Sequence, residues 1–85
     1  MNLSSGVIEI DVHGMTAEEA VRAVSQKVAA AGTSVYRIRV IHGYHGGTRI
    51  RSAVEEEFSY GRDDKVKRIA MGDNPGITEL ILREM

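Results

Sequence analysis

The chain contains no cysteine and no tryptophan. Without thiols there is no disulfide framework, no thiolate nucleophile and no zinc or iron–sulfur site built on cysteine. This fits a reducing compartment. Apolar runs are short and fall far below the ~20 residues a membrane-crossing helix needs. The opening segment, Met1-Asn2-Leu3-Ser4-Ser5-Gly6, carries neither the basic cluster nor the apolar stretch of a secretory leader. Together these absences predict a cytoplasmic chain with no membrane-embedded part. An excess of charge of one sign is also missing, because 11 Lys and Arg stand against 12 Asp and Glu. Composition therefore does not describe a globally basic nucleic-acid binder. Eighty-five residues leave no room for two hydrophobic cores. Residues 1–85 read as one domain with its core at about 7–83.

Acid is absent from one stretch in particular. Residues 36–51 hold Arg37, Arg39, Arg49 and Arg51 with two histidines and no Asp or Glu. One reading is a local basic surface on a neutral protein. The other is ordinary solvated arginines on strand and helix faces.

What is present is strong patterning. Ile8, Ile10 and Val12 alternate with Glu9, Asp11 and His13, which predicts a strand over 7–12 with one buried face. The period of two sends Asp11 and His13 the same way at its end, where Gly14 permits a turn. Thr16 and Glu19 have the spacing of a capping box. Ala17, Ala20, Val21, Val24, Val28 and Ala31 then recur at helical intervals. A helix over about 16–31 follows, with Gly32 expected at its C′ position. A second strand over 36–41 places Arg37 and Arg39 on one face. A second helix over about 48–59 carries the stripe Ile50, Ala53, Val54 and Phe58, with Gly61 closing the segment. Strands over 66–71 and 77–82 flank Gly72-Asp73-Asn74-Pro75-Gly76, where Pro75-Gly76 suits the centre of a type II turn.

The order β-α-β-α-β-β predicts an α/β fold, a two-layer βαβαββ sandwich with a four-stranded mixed sheet. Strands one and two are expected parallel, with right-handed crossovers. Strands three and four are expected as an antiparallel hairpin. The helices cover one sheet face; Glu9, Asp11, Arg37 and Arg39 suit a more polar opposite face.

Strands one and two end in Asp11-Val12-His13-Gly14 and His42-Gly43-Tyr44-His45-Gly46-Gly47. Ligands of open α/β sheets sit outside the carboxyl ends of the strands, and these segments converge there. The glycines Gly43, Gly46 and Gly47 let backbone amides face an anion at a helix N-terminus, and Arg49 and Arg51 add charge. Tyr44 can stack on a base or simply cover the loop, and His45 can join the phosphate contacts. The chemistry matches a phosphate such as one in a nucleic-acid backbone. The segment is neither a Walker A loop nor a Rossmann fingerprint, since both spacings differ.

A histidine, His13 or His42, oriented by Asp11, is suited to moving protons in phosphodiester cleavage. Structural readings stand beside these: glycines as plain turn residues, Asp11 as a loop cap, the histidines as satisfied packing groups. Asp11, His13, His42 and His45 have ligand types for zinc or manganese, but their spacing matches no metal signature. No metal site is assigned, and Mg²⁺ or Mn²⁺ enters only with a nuclease.

From about Ile8 to Leu82 these residues resemble the Smr (small MutS-related) domain family. Ile10-Asp11-Val12-His13-Gly14, with Thr16 and Glu19-Ala20, is similar to its opening Asp-Leu-His-Gly motif. Val40-Ile41-His42-Gly43 is similar to its second motif, Ile-(Thr/His)-Gly-Lys-Gly. Ile50-Arg51 stands where a Leu-Arg pair begins the second helix. Gly76-Ile77-Thr78-Glu79-Leu80 resembles the closing Gly-Ala-Thr-Val-Val. The second motif departs by one extra residue and by Tyr44-His45 in place of lysine. The resemblance implies a fold like the C-terminal domain of translation initiation factor three. It also implies DNA or RNA binding through the phosphate backbone, with nicking or cleavage in some members. It assigns Asp11 and His13 to the first functional motif, and His42, Gly43 and Gly46 to the second. The expected function is thus nucleic-acid binding, with weak endonuclease activity as its catalytic form. The alternative is a non-catalytic protein-interaction or scaffolding domain, for which the arginines would scatter over different faces.

Overall fold

The computed structural model describes residues 6–43, 48–59, 64–72 and 74–83. Six elements follow in the expected order: β1 (Val7–Asp11), α1 (Ala17–Ala30), β2 (Arg37–Ile41), α2 (Arg49–Phe58), β3 (Arg68–Met71) and β4 (Ile77–Ile81). The strands make one mixed sheet in the order β1-β2-β4-β3. β1 and β2 run parallel, with Val7 opposite Arg37 and Asp11 opposite Ile41. β4 is antiparallel to both β2 and β3, so the hairpin inserts its second strand beside β2. Among the described residues no helix is long and apolar enough to cross a membrane.

Strand alternation sorts the side chains into two layers. Ile38, Val40, Leu80 and Leu82, with Val12 just beyond β1, are buried against Ala20, Val24 and Val28 of α1 and Val54 and Phe58 of α2. Ile8, Ile10 and Ile69 pack half-buried at the margin. Burying each large apolar side chain contributes roughly 1.5–3 kcal/mol, and this layer is where the fold gains most of its stability.

The opposite sheet face is mixed: Ile81, 3% exposed, lies on it opposite Arg37 and Arg68, and charged residues occupy its centre. Arg39 stands in register between Glu9 of β1 and Glu79 of β4. Its guanidinium lies 3.7 Å from each carboxylate, and Arg37 Nη1 lies 3.0 Å from Glu79 Oε1. Glu79 is 7% exposed; two guanidiniums are what let a carboxylate sit that deep.

The start of α1 follows the capping box. Glu19 N donates to Thr16 Oγ1 (3.1 Å), and Thr16 N donates to Glu19 Oε1 (3.0 Å). Its end does not follow expectation. Ala31 turns to extended backbone (φ −68°, ψ 128°), and Gly32 is not left-handed, so no glycine C′ cap forms. Lys65 caps the helix from across the chain instead. Its Nζ donates to the carbonyls of Val28, Ala29 and Ala31 at 3.1–3.2 Å, and its charge complements the negative helix end.

The hairpin turn is closed by Ile77 N donating to Asn74 O (3.1 Å), and Asn74 Oδ1 accepts from Gly76 N (2.8 Å). The positive-φ glycines among the described residues are Gly6, Gly14 and Gly43. Gly76 is not one of them, so the turn lacks the expected type II geometry. The Asn74 side chain holds the tight turn without it. Asp73 and Gly61 lie outside the described residues.

Candidate functional site

The first motif leaves the sheet at Val12, which is fully buried and donates its amide to Ile41 O (2.9 Å). Val12 O then accepts from Met15 N (3.1 Å), closing a turn with His13 and Gly14 at its centre. Gly14 has φ +84°, the left-handed third position of a type II turn. The turn folds His13 back over Asp11. The Asp11 carboxylate accepts from His13 N (3.1 Å) and from His13 Nδ1–H (2.5 Å) through the same Oδ1. Both side chains are open to solvent, 53% for Asp11 and 71% for His13. With Nδ1 held, the Nε2 edge of His13 faces outward.

Each partner shifts the other's titration. The hydrogen bond from His13 holds the Asp11 carboxyl below the usual carboxylate range. The same bond, seconded by the carboxylate's charge, raises the His13 imidazole above its ordinary value. Near neutrality the pair therefore carries more imidazolium than an isolated histidine would.

The second motif leaves β2 beside it. Gly43 has φ +75°, and a Cβ placed on it would lie 3.7 Å from His13 Cβ. The two motifs thus meet. His42 is a different kind of residue from His13. It is 6% exposed. Its Nδ1 lies 2.8 Å from Gly43 O and its Nε2 lies 2.8 Å from Thr78 Oγ1. A carbonyl only accepts, so Nδ1 carries the proton, and Nε2 accepts from the threonine hydroxyl. The amides of His42 and Gly43 both donate to Gly76 O, at 2.9 and 3.0 Å. Asp11, His13 and Gly43 therefore form the solvent-facing site, and His42 lies beneath it with both ring nitrogens bonded inside the fold.

Tyr44, His45, Gly46 and Gly47 lie outside the described residues. Beyond them α2 begins at Thr48, which makes no side-chain capping bond, and the first turn of α2 holds no acid. The N-terminus of α2 carries the positive end of the helix dipole, which favours an anion. Arg49 is exposed there, whereas Arg51 Nε donates to Glu55 Oε2 at 3.2 Å. With Arg37 and Arg39 engaged by glutamates on the outer sheet face, the four arginines do not form one patch. Among the described residues no three acidic or histidine side chains gather as a metal site.

Thr78 was missed by sequence reasoning. The signal was present: alternation puts Thr78 on the core face with Leu80 and Leu82, and a polar residue in that row needs a partner.

The protein-family model of the Smr domain matches residues 10–74. Among solved structures, the crystal structure of the Smr domain of Thermus thermophilus MutS2 is similar, with a TM-score of 0.78 and 29% sequence identity. The match covers 91% of this chain and 99% of that one. No curated protein matches the chain.

Proposed function

The chain belongs to the Smr domain family, and from that premise we propose that it binds the phosphate backbone of DNA or RNA where Asp11, His13 and Gly43 meet. The family is known for nucleic-acid binding and nicking. One observation carries the reading: an exposed Asp11–His13 pair lies beside Gly43, close enough that a Cβ there would touch His13, at the carboxyl ends of two parallel strands. As imidazolium, His13 attracts a phosphate; Arg49 and the N-terminus of α2 supply the next contacts.

The same pair supports phosphodiester cleavage. Neutral His13 takes a proton through Nε2 from a water or a ribose hydroxyl as that oxygen attacks phosphorus. The P–O bond to the leaving oxygen breaks, and that oxygen takes a proton in turn. Asp11 holds the ring in the tautomer that leaves Nε2 free and stabilises the imidazolium that forms. His42, bonded at both nitrogens, orders the backbone of the second motif and leaves proton transfer to His13.

Salt dependence tests the binding. Each neutralised phosphate contributes a slope of roughly −0.9 in log K against log salt on duplex DNA. Two cations, His13 and Arg49, predict a slope near −2, shallower than a stretch with four available arginines would give. Affinity for single- and double-stranded DNA and RNA is measured from ~50 to ~200 mM salt. No binding at the low end overturns the proposal. Nicking of supercoiled plasmid and cleavage of structured RNA, with and without Mg²⁺ or Mn²⁺, test the chemistry. His13→Ala is expected to lose ~10²–10⁴ in rate while still folding. Equal cleavage by both proteins removes His13 from the mechanism.

A specific observation favours a second reading, a protein-interaction domain. The arginines scatter over two faces, and the outer sheet face neutralises itself through Glu9, Arg37, Arg39 and Glu79. Salt-insensitive recruitment of a protein, with no nucleic-acid binding, would establish it.

A further inference from the structure

We infer that Thr78 is a positioning residue for the site: its buried hydroxyl bonds His42 Nε2 and holds the ring, and through it the orientation of the Gly43 peptide beside His13. The inference builds on the proposed phosphate site, and its central readings need no nucleic acid.

The chain of contacts is continuous. Thr78 is 3% exposed and His42 is 6% exposed, so neither finds water as a substitute partner. The hydroxyl lies 2.8 Å from His42 Nε2, and on the other side of the ring Nδ1 lies 2.8 Å from Gly43 O. An imidazole with Nδ1–H donated to a carbonyl presents a lone pair at Nε2, and a threonine hydroxyl is a donor of the right size for it. The opposite tautomer would place two lone pairs face to face at Gly43 O. The Gly43 carbonyl therefore selects the tautomer, and the hydroxyl, which rotates to donate, satisfies the buried Nε2 lone pair and holds the ring in place. The amide of Gly43 is held separately by Gly76 O at 3.0 Å. Both ends of this left-handed residue are thus fixed from the start of β4, across a separation of more than thirty residues in the chain. Fixing Gly43 fixes the backbone beside His13, because the two lie close enough that a Cβ on Gly43 would come within 3.7 Å of His13 Cβ.

The test uses ¹⁵N-labelled protein at mildly alkaline pH, where imidazoles are neutral. Wild type is expected to show His42 protonated at Nδ1, with a hydrogen-bonded, pyridine-type Nε2. Thr78→Val removes the donor at nearly constant shape. It should move the Nε2 resonance toward the unbonded position and speed exchange of the Gly43 amide roughly fivefold, the factor of one ordinary hydrogen bond. It should also displace the ring resonances of His13. Thr78→Ser should restore all three readings. A proton on His42 Nε2 in wild type overturns the inference even if Thr78→Val fails to fold. Unchanged His42 and Gly43 signals in a folded Thr78→Val also overturn it. Binding of a labelled oligonucleotide is read in parallel. The expected spectra with no binding by any of the three proteins uphold the positioning role and remove the phosphate reading.

Discussion

Three glycines at one end of the sheet separate two physical reasons for glycine, and alanine substitution measures each. Gly14 and Gly43 have φ +84° and +75°, where a side chain costs roughly 1–2 kcal/mol in backbone strain. Neither position is crowded. Among the described residues a Cβ on Gly14 meets nothing within 4 Å, and one on Gly43 meets His13 Cβ at 3.7 Å, an ordinary contact. Gly14→Ala and Gly43→Ala should therefore cost the same, about 1–2 kcal/mol each. That is a fall in Tm of roughly 4–16 °C for a domain of this size. Gly72 is the reverse case: it is not left-handed, but its Cβ would lie 2.5 Å from Ile77 Cγ2 and 2.7 Å from Ile77 Cβ. Gly72→Ala should cost about 1–3 kcal/mol through collision. Asparagine, which tolerates left-handed backbone, tells the two apart. Gly14→Asn should recover part of the alanine loss, and Gly72→Asn should recover none. Urea denaturation with thermal melts gives the values. Asn no better than Ala at Gly14 would refute the strain argument. A loss above ~3 kcal/mol in Gly43→Ala would show that Gly43 and His13 are packed more tightly than their geometry indicates.

Lys65→Met keeps the aliphatic stem but removes the three carbonyl bonds at the end of α1, and should destabilise by about 1–2 kcal/mol, read as a lowered urea midpoint with α1 amides losing exchange protection. The Asp11–His13 pair gives a titration prediction: NMR should place His13 above the ordinary ~6.5, and Asp11→Asn should return it toward that value. Linkage fixes the sign. What imidazolium formation contributes is fully present below the unfolded histidine value and is lost as pH rises through the raised folded value. What Asp11 contributes is present above its unfolded value and is lost as pH falls through the lowered folded one. Oligonucleotide affinity should strengthen as pH falls through the His13 value, and His13→Ala should flatten that dependence.

The alternation of Ile8, Ile10 and Val12 and the helical spacing of Ala20, Val24 and Val28 made the layers legible, because burial repeats at fixed intervals along each element. The capping box was legible for the same reason: its partners are three residues apart. What escaped depends on residues far apart in the chain. Lys65 reaches the end of α1 over a separation of 34 to 37 positions, and no local pattern announces that. The glycine expected to end α1 went unused because the lysine had already satisfied the carbonyls. Residues 36–51 looked basic since their counter-charges, Glu9 and Glu79, lie on neighbouring strands, and register alone brings them together. The convergence of Asp11, His13 and Gly43 at one end of the sheet was legible from two glycine-bearing strand ends. The division between its histidines was not, because burial separates them.

Strand order explains that division. β2 lies between β1, which runs with it, and β4, which runs against it. At the end where β2 finishes, β1 also finishes and β4 begins. A residue leaving β2 there has a strand terminus on either side. The β1 side offers an exposed turn, and His13 occupies it, open to a ligand. The β4 side offers the Gly76 carbonyl and, two residues on, the Thr78 hydroxyl in the buried row. His42 continues the core-facing alternation of Ile38 and Val40, so its ring enters that row and meets the hydroxyl. The antiparallel insertion of β4 thus decides which imidazole is structural and which is available. Had the hairpin been inserted in the other order, β3 would border β2 and run parallel to it. The end of β2 would then adjoin the end of β3 rather than the start of β4, without the Gly76 and Thr78 partners that hold His42 and Gly43 in place.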